Sequence, residues 1–128
     1  MSRKDVRDAL IRFGIDVCRR VGGENNRAIG KVLIALHYIV PLSIIVLFFT
    51  VEALRWFLLW IVIMVVASNL VFGCCLLTKM EQHFTGQRDF TAIDPILGVL
   101  GLPVTNRVRY WGTVGLGSVG VFGMILLC

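Results

Sequence analysis

Long apolar runs alternate with charged segments along this chain, and two of the runs are almost uninterrupted. Residues 32–51 and residues 56–78 are separated only by a four-residue hinge, Glu52-Ala53-Leu54-Arg55. The hydrocarbon core of a bilayer is about 30 Å thick and a helix rises about 1.5 Å per residue, so about 20 apolar residues cross it. A third run, residues 110–128, also reaches that length. The pattern predicts an all-α protein with three transmembrane helices.

The segment before the first run has the pattern of an amphipathic helix. Its apolar residues recur at steps of four, three and four, namely Val6, Leu10, Phe13 and Val17. This spacing lines one face of a helix. Ser2 and Asp5 resemble a capping box and Gly22-Gly23 is a plausible stop, which predicts a helix over residues 3–20.

Two interpretations of this N-terminal helix remain open. It lies on anionic lipid headgroups, or it packs on a protein partner or on the long loop of its own chain. The headgroup candidates are basic residues: Arg3, Lys4, Arg12, Arg19 and Arg20. A nucleic acid partner is not expected, because Asp5, Asp8 and Asp16 interleave with the bases and no aromatic stacking platform accompanies them.

Composition supports a membrane protein with a single domain. Of the 128 residues 57% are hydrophobic and the mean hydropathy is +0.83, well above the range of water-soluble domains. Of the 13 lysines and arginines, twelve lie before the first span or in the loop of residues 79–109. Only Arg55 lies in the hinge. This bias predicts that the N-terminus and the long loop are cytoplasmic.

Polar residues inside the spans are expected to face the interior of the bundle, because exposure to lipid costs free energy. His37 in the first span and Asn69 in the second fall at similar depth if the two helices are antiparallel. A proton or solute relay would need a continuous chain of ionisable groups. The favoured interpretation is therefore an interhelical hydrogen bond of about 1 kcal/mol between His37 and Asn69.

The third span is rich in glycine, which lets helix backbones approach closely in lipid. Gly112, Gly117 and Gly120 are the candidate packing positions. Since glycines lie around most of the helix circumference, one face is expected to meet the first two spans and another a second protein.

The cysteines and other reactive residues show no pattern typical of catalysis. Cys18, Cys74, Cys75 and Cys128 lack metal-ligand spacing. Cys74 and Cys75 lie where lipidation occurs, although buried small side chains are the commoner explanation. No nucleophile has a base at a recognisable spacing, so we expect no enzyme activity, metal, cofactor or small-molecule substrate.

The loop of residues 79–109 is too long for a structureless connector and is expected to be folded and functional. The second span is predicted to continue into it and stop at Gly86. Asp94 is predicted to cap a short helix that begins at Pro95 and closes at Gly101. The residues expected to contact a partner are Glu81, Arg88, Asp89, Phe90 and Asp94.

The loop also carries a recognisable pattern. C-x-L-T-x-x-E (Cys75 to Glu81) is followed by T-G at Thr85 and by I-D-P-x-L at Ile93. Over about residues 70–107 this resembles small multi-span proteins of large icosahedral DNA viruses. Similar C-x-L-T-x-x-E ends occur in small uncharacterised bacterial membrane proteins. The basic N-terminal helix is not part of the pattern.

The viral resemblance implies a minor capsid protein that ties the shell to the internal membrane of the virion. The expected function is therefore structural, with the lipid bilayer and capsid proteins as partners. An accessory subunit of a membrane complex is the first alternative, and a small transporter or channel is the second.

Overall fold

The computed structural model describes residues 2–87, 91 and 93–128, and the regular structure within them is helical. The helices are α1 (Arg3–Gly22), α2 (Asn26–Thr50), α3 (Arg55–Phe72), α4 (Leu76–Thr85), α5 (Asp94–Val99) and α6 (Asn106–Leu127), with a 3₁₀ turn at Glu52–Leu54. The predicted all-α fold is confirmed, including its three long apolar helices.

Helices α2, α3 and α6 carry the apolar character of the chain. Their most apolar windows have mean hydropathies of 2.6, 2.0 and 1.5, the second taken from within Glu52–Phe72. Only 11%, 17% and 6% of the residues in these windows are buried inside the protein. Because most of their large apolar side chains face outward, these helices fit an integral membrane protein.

The second apolar run does not form one continuous helix, and the prediction that it would is wrong. Helix α3 ends at Phe72, where Gly73 adopts a left-handed conformation with φ of 67°. Glycine takes this conformation without a Cβ clash, and it redirects the chain. Helix α4 begins three residues later and ends at Gly86, the expected stop.

Helix α4 returns along the N-terminal half of α2, and α1 packs against both helices. A Cβ on Gly30 of α2 would collide with Thr85 of α4, so these two backbones lie close together. The buried centre of this three-helix unit is formed by Ile15, Ile29, Leu33 and Phe84. The first part of the long loop is therefore a folded element that supports α1.

Helix α1 has the predicted capping box, in which the Ser2 hydroxyl accepts from the Asp5 amide and the Asp5 carboxylate accepts from the Ser2 amide. It packs on the long loop of its own chain, one of the two predicted arrangements. Its packed face carries Ile15 and Cys18. The neighbouring face stays exposed, with Phe13 at 69%. The same helix thus keeps an apolar face that its own chain does not cover.

Helix α6 packs along α3, and its glycines fall into two groups. A Cβ on Gly117 would lie 2.6 Å from Val66 Cγ2, and one on Gly112 would lie 3.0 Å from Ile93 Cδ1. Among the described residues, no atom from another part of the chain lies within 4 Å of the Cβ position of Gly120. Gly112 and Gly117 are packing positions inside the chain, whereas the structure places Gly120 on an open face.

Candidate functional site

The break at Gly73 brings three polar side chains together at the junction of α2, α3 and α4. His37 lies in the middle of α2, Cys75 immediately precedes α4, and Glu81 lies in α4 itself. Because α4 packs on α2, the imidazole of His37 is placed between the thiol and the carboxylate. We refer to Cys75, His37 and Glu81 as the thiol site.

The two ring nitrogens of His37 have different partners. Nδ1 lies 3.1 Å from Glu81 Oε1, and Nε2 lies 3.9 Å from Cys75 Sγ. A carboxylate only accepts hydrogen bonds, so the Nδ1–H of a neutral imidazole donates to Glu81 and leaves Nε2 free to accept from the thiol. Glu81 is 3% exposed, so this hydrogen bond is shielded from water.

The surroundings of Cys75 favour its thiolate. Burial raises the pKa of this thiol, but hydrogen bonding to His37 and the neighbouring Thr78 amide lower it, and the net pKa lies below the ordinary cysteine value. Thiolate character controls the reactivity of cysteine. Cys75 is also half-buried, whereas Cys128 is exposed at the end of α6.

The arrangement resembles a nucleophile, a base and an orienting acid more than a metal site. The two nitrogens of an imidazole point in opposite directions, so one ion cannot be held by Nε2 and also by the carboxylate at Nδ1. Within residues 2–87, 91 and 93–128, no group of three ligating side chains is placed to hold a metal ion. The order thiol, imidazole, carboxylate is that of cysteine-based catalytic triads.

Two predictions about these residues are wrong. Glu81 was expected to contact a partner, but its carboxylate is buried against His37. His37 was expected to pair with Asn69, but both of its nitrogens are engaged by Glu81 and Cys75. Asn69 is nevertheless buried in α3, at 5% exposure, as expected for a polar residue inside a span.

Asp94 also has a different role from the predicted helix cap. It is the first residue of α5, and its carboxylate accepts from Arg109 Nε at 2.8 Å and from Arg109 Nη2 at 2.7 Å. The Thr91 amide and hydroxyl donate to the same carboxylate. This bidentate ion pair joins the long loop to the start of α6, and both side chains are only 13% exposed.

Loss of this pair is expected to make the protein less stable only where Asp94 is ionised. Asp94→Asn should lower the free energy of unfolding at neutral pH by about 1–2 kcal/mol, between the values of exposed and buried pairs. Burial raises the pKa of Asp94, but hydrogen bonds from Arg109 and Thr91 outweigh it and lower the pKa below 3.8. Denaturation as a function of pH should therefore show a difference between the two proteins above the unfolded-state pKa that shrinks as the pH falls through the folded-state pKa. A constant difference down to pH 2 would contradict this role for the Asp94 carboxylate.

The remaining predicted positions are placed as follows. Arg88, Asp89 and Phe90 lie outside the described residues. The basic headgroup candidates of α1 are all exposed, namely Arg3, Lys4, Arg12, Arg19 and Arg20. The thiol site was missed as a unit, although the C-x-L-T-x-x-E pattern contains two of its three members.

Comparison of the chain with protein-family models, with curated proteins and with solved structures finds no match.

Proposed function

We propose that this chain is a structural membrane protein that holds a protein partner at the basic face of the bilayer. The observation that supports this role best is an uncovered apolar surface on α5, outside the three long apolar helices. It is formed by Ile96 and Val99 of α5 and by Leu100, which directly follows the helix, and we call it the α5 surface.

Helix α5 is buried on one side and exposed on the other. Leu97 is 2% exposed and packs on α6, where a Cβ on Gly112 would lie 3.4 Å from Leu97 Cδ2. Ile96, Val99 and Leu100 are 41%, 88% and 62% exposed. Clustered apolar side chains outside the membrane spans are typical of surfaces that bind protein or lipid.

The α5 surface is held rigidly by its own chain. Asp94 and Arg109 fix its beginning, and Gly101, with φ of 67°, closes its end while the Leu102 amide donates to the Leu97 carbonyl at 3.0 Å. A surface fixed before binding loses less conformational entropy in a complex. This favours recognition by the loop over the role of a simple connector.

The lysine and arginine bias supports a cytoplasmic N-terminus and loop, so the α5 surface would face the cytoplasmic side. The motif resemblance over residues 70–107 supports a minor capsid protein in the inner membrane of a virion, with capsid proteins as the partner. The accessory-subunit alternative predicts redox or transport subunits as neighbours.

Replacing Val99 with Asp should prevent docking without unfolding the protein, because the side chain is exposed in the free chain and would be desolvated in the complex. We expect the variant to insert into membranes normally and its incorporation into the native assembly to fall more than about tenfold. Gradient sedimentation of solubilised membranes measures that incorporation.

Val21→Asp is the matched control, since Val21 is 85% exposed but lies on α1. Its incorporation should equal that of the natural chain. Normal incorporation of Val99→Asp would refute docking through α5. Mass spectrometry of the purified assembly then separates capsid proteins from redox or transport subunits, and solute flux into liposomes by the chain alone would favour a transporter instead.

A further inference from the structure

The thiol site has no part in docking through α5, yet its order of groups is that of a reactive centre. We propose that Cys75 is a nucleophile that accepts an acyl group from a long-chain acyl thioester, with His37 as its base and Glu81 as the positioning residue. The product is an S-acylated Cys75 at the end of the membrane bundle.

The geometry supports His37 as the base. Its Nε2 lies 3.9 Å from Cys75 Sγ, while its Nδ1–H is held by a carboxylate that is 3% exposed. Hydrogen bonds between nucleophile and base are often long in free enzymes and shorten when substrate binds. Glu81 fixes the ring and its tautomer without touching the thiol, which is the role of the third member of a triad.

The position of Cys75 before α4 adds a second observation. The first intrahelical hydrogen bond of α4 runs from the Lys79 amide to the Cys75 carbonyl, so the amides of Leu76 and Leu77 have no partner within the helix. Such amides lie at the positive end of the helix dipole, beside the sulfur. They are suitable donors to the oxyanion that forms when a thiolate attacks a carbonyl.

The location favours a donor with a long acyl chain and an anionic carrier. Cys75 lies three residues after the end of α3, where Leu70 and Val71 are 51% and 50% exposed and present an apolar surface to the chain. Helix α1 contacts both α3 and α4 and carries exposed basic residues that would meet phosphate groups of a carrier such as coenzyme A.

The reaction balances without any further reagent. His37 Nε2 takes the proton of the Cys75 thiol as Sγ attacks the carbonyl carbon of the donor thioester. The resulting tetrahedral intermediate collapses by breaking the bond from carbon to the sulfur of the donor, and the departing thiolate receives the proton from His37. One thioester is exchanged for another, and no electrons are transferred.

Purified full-length protein in detergent micelles, incubated with an alkyne-tagged palmitoyl coenzyme A, tests this inference. We expect a label on Cys75 that neutral hydroxylamine removes, and mass spectrometry of the natural chain should find Cys75 acylated in preference to its neighbour Cys74. Cys75→Ser should abolish the label and Cys74→Ser should keep it. Acylation of Cys74 and Cys75 at equal rates in the natural chain would overturn the assignment, and this comparison needs no variant.

The base and the positioning residue have their own readouts. His37→Gln and Glu81→Gln should slow labelling by about 10²-fold or more. Glu81→Asp retains the carboxylate acceptor, so it should be labelled faster than Glu81→Gln. If Glu81 had a purely structural role, the Gln and Asp variants would be labelled at equal rates when their helix contents are equal. Labelling of His37→Gln at the natural rate would refute the mechanism. Val99→Asp should label normally, so failure of this inference and failure of docking are distinguishable.

Discussion

Replacing His37 with Leu is expected to lower the free energy of unfolding by about 3 kcal/mol, because a buried carboxylate would lose its hydrogen-bond donor. The carboxylate of Glu81 is 3% exposed and 3.1 Å from His37 Nδ1, so the substitution would strand it in an apolar environment. Chemical denaturation in detergent micelles, followed by tryptophan fluorescence, measures the loss.

The double variant His37→Leu/Glu81→Leu is the control for this prediction. Removing both polar partners leaves no stranded group, so the double variant should recover most of the stability that either single variant loses. If the losses of the two single variants simply add in the double variant, the two side chains act independently. That result would contradict the contact between His37 and Glu81.

Gly117→Leu is expected to lower the free energy of unfolding by about 1–3 kcal/mol through overpacking of the contact between α6 and α3. Even a Cβ at this position would lie 2.6 Å from Val66 Cγ2, so the helices must separate to admit a larger side chain. Denaturation in micelles again measures the loss. Cysteine cross-linking between α3 and α6 should fall in parallel.

Gly120→Leu is the matched control on the same helix, because the part of the chain that the structure describes places no atom of another element within 4 Å of its Cβ position. The isolated protein should keep its natural stability, or gain slightly since leucine favours helix over glycine. A loss of incorporation into the native assembly with unchanged stability would identify a second protein neighbour at this face. Equal destabilisation by both substitutions would contradict the packing described for α6.

The three spans were predictable because their signal is local. Each apolar run is long enough to cross a bilayer, and the structure forms a helix in each of them. The ends of α1 were also predictable, since Ser2, Asp5 and Gly23 act on neighbouring residues. Such features need only the chemistry of capping and the period of a helix.

The thiol site was not predictable because it depends on a bend. Apolar residues continue past Gly73, so the run reads as one helix, and a straight helix would carry Glu81 away from His37. The comparison of depths paired His37 with Asn69 because it considered only the two spans and not a separate helix, α4, that returns to α2. Gly73 was the available signal, since glycine is common just after the last residue of a helix.

Helix α1 carries two apolar stripes, and the stripe that packs is not the one whose spacing predicted the helix. Val6, Leu10, Phe13 and Val17 have helical spacing, but the adjacent stripe that contains Ile15 and Cys18 is the one that packs on the long loop. Periodicity identifies apolar faces, but it does not decide which one a distant segment covers. That choice depends on α4, which exists as a separate helix only because of the break at Gly73.

The side of the membrane on which each segment lies tests the account most directly. All four cysteines are first replaced, and a single cysteine is then placed at position 24, 53, 87 or 128. Glu24, Ala53 and Gln87 are exposed in the structure, and Cys128 ends the chain. Each variant is labelled in sealed vesicles with a membrane-impermeant maleimide. Three crossings and the charge bias predict that positions 24 and 87 react from the cytoplasmic side, whereas 53 and 128 react only after the vesicles are opened. Labelling of positions 24 and 128 from the same side would contradict the three-span account.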